Sequence, residues 1–335
     1  KARVKAHALR ELIEESDKVI IMGHRLSDLD SLGSAIGLYR GAKLLDKRAH
    51  IVLNETTTSV KALYDMFECN SEYESDMFVN NSEALEIVDH KTLLIVVDVS
   101  RPSYLECRDL LDKTQNVVVI DHHRQSDDSI ENPVLSYIEP HASSTCEMVT
   151  ELLPYLVEKL KLKSLEADAL YAGISVDTKN FMYKTGVATF EAAAYLRKAG
   201  ADVVRVRKLF RNDLDSYRAK AMTISNSTVY RNIIAIGKCP SENVESPTIV
   251  AAQAADELLN IQGIKASFVF TKIDNTVFIS ARSIDEINVQ LIMERLGGGG
   301  HLNVAGAQLE DLSIDDAIIN LTTLLKEMSV GGELE

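Results

Sequence analysis

Three short apolar runs in the first half of the chain each end in residues that bind metal ions. Val19-Ile20-Ile21 leads through Met22-Gly23 to His24, and the loop beyond reads Arg25-Leu26-Ser27-Asp28-Leu29-Asp30-Ser31. Leu93-Leu94-Ile95-Val96-Val97 ends in Asp98, and Val117-Val118-Val119-Ile120 ends in Asp121-His122-His123. Apolar runs of this length between helical segments read as buried parallel strands. Ligands of an open parallel sheet bind beyond the carboxyl ends of its strands, so these donors are expected to converge on one rim. Carboxylates and imidazoles without thiolates suit Mn²⁺ or Mg²⁺, with the imidazoles favouring Mn²⁺; a thiolate-rich zinc site is not indicated. Two dications roughly 3.5–4 Å apart need a bridging carboxylate, and Asp98, alone at the tip of the central run, is the natural bridge. Taken singly, each residue has a plainer reading. Asp28 or Asp30 can cap the helix that starts near Ser31, and His122 can be a buried, hydrogen-bonded histidine. Taken together they point to a two-metal centre.

The elements that must position these residues follow from patterning. Ser31 is expected to cap a helix running to about Leu45, followed by a strand at Ile51-Val52-Leu53, a helix from Ser82 to Val88 and another opened by Arg101-Pro102. Residues 143 to about 220 read as mostly helical, broken near Asn180 and Gly200, with Asp177 at the end of the helix Leu165–Val176. A shift near residue 225 starts a second domain. There Tyr230–Ile236, Ala266–Thr271 and Thr276–Ala281 are strand-like, and Asp274-Asn275 fits a hairpin turn between the last two. Val250–Leu259 and Asn288–Leu296 read as helices, and Gly297-Gly298-Gly299-Gly300 leads into a strand at Val304–Leu309 and a final helix, Ile314–Met328. The fold class is α/β: a parallel-sheet domain with flanking helices over residues 1–205, a helical connector over 206–225 and a smaller α/β domain over 226–330, with the active-site cleft between the two domains.

Composition narrows the function. The chain has 335 residues, 46% of them hydrophobic and 26% charged, with a net charge of −14, which fits two globular domains. Proteins that live on long nucleic acid are usually basic, because neutralising phosphates supplies most non-specific affinity. An acidic chain argues for a small substrate met by metal ions and a few local cations. Cys69, Cys107, Cys146 and Cys239 form no close-spaced metal or redox pattern and read as reduced thiols of a cytosolic protein. No run reaches the ~18 apolar residues of a membrane span. The chain opens at Lys1 inside an amphipathic helix and reads as a cytoplasmic fragment excised from a longer protein.

His24-x-x-x-Asp28-x-Asp30-Ser31, the lone Asp98, Asp121-His122-His123 and a later Asp177 resemble the signature of the DHH phosphoesterases, and Gly297-Gly298-Gly299-Gly300-His301 resembles the glycine-rich loop of the DHH-associated domain that follows it in one subfamily. The resemblance spans nearly the whole chain. Within the family, Gly23–Gly33 and Gly298–Ala307 are most similar to the cyclic-di-AMP phosphodiesterases of Gram-positive bacteria. It implies that His24, Asp28 and Asp98 hold one Mn²⁺ (or Mg²⁺ or another divalent ion) and that Asp30, Asp98, His122 and Asp177 hold a second. Water activated between them would cleave cyclic-di-AMP to linear pApA; the alternatives are a nanoRNase-like or pAp phosphatase-like enzyme, a RecJ-like nuclease, or a nucleotide-binding sensor with an inactive metal site. For Asp177, capping of the turn that follows is the alternative. Asp121 is implied as an orienter of an imidazole. His123 is implied as a donor to the scissile phosphate, or equally as a structural partner of the metal loop. The second domain is implied to grip the distal part of the substrate. Gly298, Gly299 and Gly300 can form a backbone nest for an oxyanion or a flexible hinge. Arg282, His301 and Asn303 weigh towards the nest, arginine offering a planar fork for phosphate. Ser143-Ser144-Thr145 open a helix whose N–H groups and hydroxyls can take a phosphate oxygen, or they simply cap it. Long nucleic acid is not an expected partner, nor is membrane contact by this fragment; a homodimer is compatible with the sequence. The resemblance implies a longer parent protein anchored in a membrane.

Overall fold

The computed structural model describes residues 1–56, 58–211, 213–284 and 287–330. The chain forms two compact units, residues 1–211 and 212–335. Among the described residues no helix is long and apolar enough to cross a membrane.

In the first unit, α1 (Ala2–Glu15) is followed by β1 (Lys18–Met22), α2 (Leu29–Leu44), β2 (Arg48–Val52), α3 (Thr58–Glu68), β3 (Phe78–Val79), α4 (Asn81–Ile87) and β4 (Thr92–Val97). Two short 3-10 turns, Pro102–Tyr104 and Arg108–Asp112, stand where the sequence suggested a helix after Arg101. Then come β5 (Val117–Asp121), β6 (Leu135–Ile138), α5 (Thr145–Leu156), α6 (Ser164–Asp177), α7 (Val187–Ala199) and α8 (Val203–Leu209). The sheet runs β3-β2-β1-β4-β5-β6, all parallel. Alternate residues explain why its strands are apolar throughout: Val19 and Ile21 enter the core under α1, α2, α5 and α6, while Ile20 and Met22 enter a second core on the other face. Winding proceeds outward from β1 to β3 and then restarts beside β1 with β4. The switch point, and the crevice it opens at the carboxyl ends, therefore lies between β1 and β4. His24 and Asp98 follow those two strands.

Two local features aim the rim. The cap of α2 is Asp28 rather than Ser31: its Oδ1 accepts from the backbone N–H of Asp30 (3.0 Å) and Ser31 (2.9 Å), because the helix starts at Leu29 and a cap must precede the N–H groups it satisfies. The N-terminus of α2 also lies against the C-terminal half of α6. A Cβ at Gly173 would come within 3.0 Å of Asp30 Cα and 2.9 Å of the Leu29 carbonyl oxygen, so the absent side chain lets the turn that ends in Asp177 sit beside Asp30.

The second unit holds α9 (Leu214–Ser225), β7 (Thr228–Tyr230), β8 (Ile234–Cys239), α10 (Pro247–Leu258), β9 (Ala266–Ile273), β10 (Thr276–Ser283), α11 (Val289–Arg295), β11 (Gly299–His301), β12 (Val304–Glu310) and α12 (Ile314–Val330). Its sheet order is β11-β12-β10-β9-β8-β7, antiparallel except for β8 with β9. The expected strand Tyr230–Ile236 is instead a hairpin, because Arg231 and Asn232 both take positive φ (50° and 62°) and turn the chain back on itself. The stretch 206–225, expected as one connector, is split between α8 of the first unit and α9 of the second.

Candidate metal centre

His24, Asp28, Asp30, Asp98, His122 and Asp177 come together at the carboxyl rim of the parallel sheet. Donor atoms of His24, Asp28 and Asp98 all lie within 4.8 Å of one another, and the same holds for Asp30, His122 and Asp177 and for Asp98, His122 and His123. Asp98 joins the groups. Its Oδ2 is 3.4 Å from His24 Nε2, and its Oδ1 is 3.4 Å from His122 Nε2. The two oxygens of one carboxylate thus face two different imidazoles, which is the disposition a bridge requires. Asp98 also takes the left-handed conformation, with φ 61°. That is uncommon for a residue with a side chain, and such strain collects at functional sites.

The surroundings fix these carboxylates. Asp30 is fully buried and accepts from the first two N–H groups of α5, Thr145 (2.7 Å) and Cys146 (2.8 Å). Thr145 Oγ1 donates to Asp98 Oδ1 at 3.0 Å. Thr145 is therefore a positioning residue, its hydroxyl given to Asp98 and not to the phosphate oxygen that the sequence suggested. It stands 47 residues from Asp98, and only its place after Ser143-Ser144 hinted at a role. Ser144 caps α5, accepting from Glu147 N (3.0 Å), and Ser143 Oγ is hydrogen-bonded to the Glu147 carboxylate. Both serines are buried. In the described structure the helix end offered to a phosphate is taken by the protein's own Asp30.

The electrostatics fit bound cations. His122 Nε2 is 3.1 Å from Asp177 Oδ2, 3.4 Å from Asp98 and 3.8 Å from Asp30 Oδ2, yet both of its ring nitrogens are buried without a hydrogen-bond partner. Burial alone would lower its imidazole, but Asp177, Asp98 and Asp30 outweigh it and push it up to about 11. His24 is likewise pushed up to about 10, Asp28 and Asp98 overcoming burial. Burial and the neighbouring Asp98 and Asp177 drive the Asp30 carboxyl well above the carboxylate range. Burial raises Asp177, with His122 drawing it back. At Asp98 the two imidazoles win over burial, holding its carboxyl low. Carboxylates crowded round orphaned imidazole nitrogens are stable as an ionised set only with added positive charge. Oxygen and imidazole donors without a thiolate suit Mn²⁺ or Mg²⁺.

Asp121 is fully buried and orients His123: its Oδ1 lies 2.8 Å from His123 Nδ1 and accepts from His123 N at 3.0 Å. That hydrogen bond is the main cause of the raised His123 imidazole, whose side chain is 59% exposed beside the buried cluster.

The residues expected to grip the distal substrate are more occupied. Arg282 Nε is 3.3 Å from Asp256 Oδ1 on α10, and the Asn303 amide donates to Ser283 O (3.3 Å) and Oγ (3.2 Å). The glycine run is neither a loose hinge nor a free nest. Gly297 (φ 79°) closes α11, and Gly299–His301 pair as edge strand β11 with Val304–Gly306. A Cβ at Gly298 would collide with the Gly306 carbonyl oxygen. At Gly300, with φ 148°, it would meet Ala305. At Gly299 it would meet nothing within 4 Å. His301 is exposed at the end of β11.

Residues 18–174 match the DHH family, N-terminal domain, and residues 241–329 match the DHHA1 domain. The chain is 46% identical over 99% of its length to cyclic-di-AMP phosphodiesterase GdpP of Geobacillus thermodenitrificans, of which it spans 51%. It thus spans about half the length of such curated relatives. It is 30% identical to the bifunctional oligoribonuclease and PAP phosphatase NrnA of Mycoplasma genitalium, over 88% of this chain and 89% of that protein. An exopolyphosphatase-related protein from Bacteroides fragilis shares the fold, with a TM-score of 0.82 at 20% identity, covering 97% of this chain and 96% of that one. The chain belongs to the DHH family, its N-terminal domain being followed by a DHHA1 domain.

Proposed function

We propose that the chain is a Mn²⁺-dependent phosphodiesterase that hydrolyses cyclic-di-AMP to linear pApA. The observation that carries this reading is the shared Asp98, one oxygen towards His24 and the other towards His122, in a chain 46% identical to a cyclic-di-AMP phosphodiesterase. His24, Asp28 and Asp98 would hold one ion, and Asp30, Asp98, His122 and Asp177 the other. Two such ions supply Lewis-acid charge for a phosphate and a water ionised near neutral pH. The chain's own residues do the rest. Thr145 and the α5 N-terminus hold Asp98 and Asp30 in place, so the carboxylates need not reorganise. Asp121 holds His123 Nδ1 and raises its imidazole, leaving the half-exposed ring to donate to an oxygen of the scissile phosphate. His301 and the open face at Gly299 take the second phosphate, with Arg282 and Asn303 stiffening the strands that present them. Ser143 and Ser144 act at one remove, by capping the helix that holds Asp30. No long basic track is needed for a dinucleotide, which accounts for an active site on a chain of charge −14.

A second reading is favoured by coverage. The oligoribonuclease and PAP phosphatase spans these two domains and little more, so linear dinucleotides and pAp are the competing substrates. Equal concentrations of cyclic-di-AMP, pApA, pAp and long single-stranded DNA, incubated with Mn²⁺ and resolved by chromatography, decide between them. The expected result is one cleavage of cyclic-di-AMP to pApA, slower conversion of pApA to AMP and little action on DNA. Much faster cleavage of pApA or pAp would favour the second reading, and rapid degradation of DNA would overturn both.

A further inference from the structure

We infer that Tyr104 and Arg25 form a nucleotide subsite beside the metal centre, the base stacking on the Tyr104 ring and a phosphate oxygen meeting the Arg25 guanidinium. The inference rests on the proposed nucleotide phosphodiesterase reading. The ring is tied to the His24 loop through the backbone. Arg25 N donates to Tyr104 O (2.9 Å), Glu106 N donates to Gly23 O (3.0 Å), and His24 forms an antiparallel bridge with Leu105. On the other side, Tyr104 ends the turn that Pro102 opens four residues after Asp98. It is thus pinned between the two strand ends that flank the switch point of the sheet, β1 with His24 and β4 with Asp98.

The ring is 46% exposed, and the guanidinium carbons of Arg25 and Arg101 lie 5.7 and 5.9 Å from its centroid. Arg101 is committed elsewhere, to Ser126 Oγ at 2.8 Å and Asp128 at 3.4 Å. Arg25 makes no ion pair among the described residues, in a chain with 50 carboxylate side chains. A cation–π contact alone accounts for an arginine near a tyrosine. It does not account for an exposed aromatic face anchored to a metal-ligand loop beside an arginine left without a counter-charge. An arginine fork suits phosphate oxygens, and an aromatic face gives base stacking whatever the base. Together they fit a nucleoside monophosphate unit.

Equilibrium dialysis of the 335-residue chain in Mn²⁺ against AMP, and separately against inorganic phosphate, tests this without requiring any hydrolysis. Tyr104→Ala is expected to weaken AMP binding by roughly tenfold and leave phosphate binding unchanged, with Tyr104→Phe close to the parent protein. Arg25→Ala is expected to weaken both ligands. Mn²⁺ uptake, measured in the same cells, should be unaltered in all three variants. AMP binding unchanged in Tyr104→Ala and Arg25→Ala would overturn the subsite. So would equal loss of AMP and phosphate in Tyr104→Ala, or reduced Mn²⁺ uptake, since the residues would then act by shaping the His24 loop. Failure of the parent chain to cleave cyclic-di-AMP would count against the proposed substrate only, because AMP binding is read independently.

Discussion

The His24–Asp30 loop and the Gly297–His301 hairpin both stand out as chemistry-bearing sequence, yet the structure builds them in opposite ways. Where the first faces Asp121-His122 at the end of β5, buried polar atoms are left over: both ring nitrogens of His122 and Asp121 Oδ2 lack a hydrogen-bond partner, although Asp30 itself is held by Thr145 N and Cys146 N. At the second, most unusual residues have a structural occupation. Gly298 and Gly300 make room for β12, Arg282 pairs with Asp256, and Asn303 ties down Ser283. A motif rich in functional residue types becomes a site where some of those residues remain unsatisfied by the fold. Where the fold satisfies them, they serve as scaffold for the few that are free.

Breaking the first region should have the largest effect. Asp98→Asn is expected to lower Mn²⁺-dependent turnover by at least about a thousandfold. The melting temperature in chelator should fall at neutral pH, because asparagine tolerates the left-handed backbone but leaves the His24 and His122 imidazoles without the carboxylate that faces both. Near-normal turnover would show that Asp98 is no bridge. In the second region, Gly298→Ala should destabilise the second unit by about 1–3 kcal/mol, seen in its urea midpoint. Gly299→Ala, with open space around it, should stay within about 0.5 kcal/mol of the parent. Loss of cyclic-di-AMP turnover in a stable Gly299→Ala protein would then report ligand approach and not folding.

Thr145→Val keeps side-chain shape but removes the hydroxyl that holds Asp98. Supporting contacts of this kind are worth about 10–100-fold in metal affinity or activity, so Mn²⁺ titration calorimetry should show a loss in that range. An unchanged affinity would mean that Asp98 is held by the ions and imidazoles alone.

The smallest effect is on pH dependence. In the metal-free chain His24 and His122 hold their protons up to about 10 and about 11, against 6.5 for an ordinary imidazole. Their contribution to stability is complete below about pH 6.5 and is lost as pH rises through the folded values. Asp30 and Asp177, raised as well, cost stability once pH exceeds the ordinary carboxylate range, so the sign is the same. The melting temperature in chelator should fall by a few degrees between about pH 7 and pH 10, and saturating Mn²⁺ should remove the slope. A flat profile in chelator would show that the cluster does not trap protons in place of metal.

Much of this protein was already decided in one dimension. Apolar runs ending in His24, Asp98 and Asp121-His122-His123 dictate parallel strands with donors on one rim, because both faces of such strands are buried and their carboxyl ends point the same way. Donor hardness then suits Mn²⁺ or Mg²⁺ better than a thiolate-seeking ion. Tertiary structure decided what each residue does once neighbours distant in sequence compete for it. Asp28 turned out to cap α2 while also facing His24, the same Oδ1 that accepts from Asp30 N and Ser31 N lying 3.7 Å from His24 Nε2. The α5 N-terminus went to Asp30, and Thr145 to Asp98, across more than forty residues of chain. Arg231-Asn232 turned an apparent strand into a hairpin, and the apolar pattern on either side gave no warning, because both arms keep a strand-like composition. Hydropathy records which face of an element is buried; only packing determines which hydrogen bond a polar group finally makes.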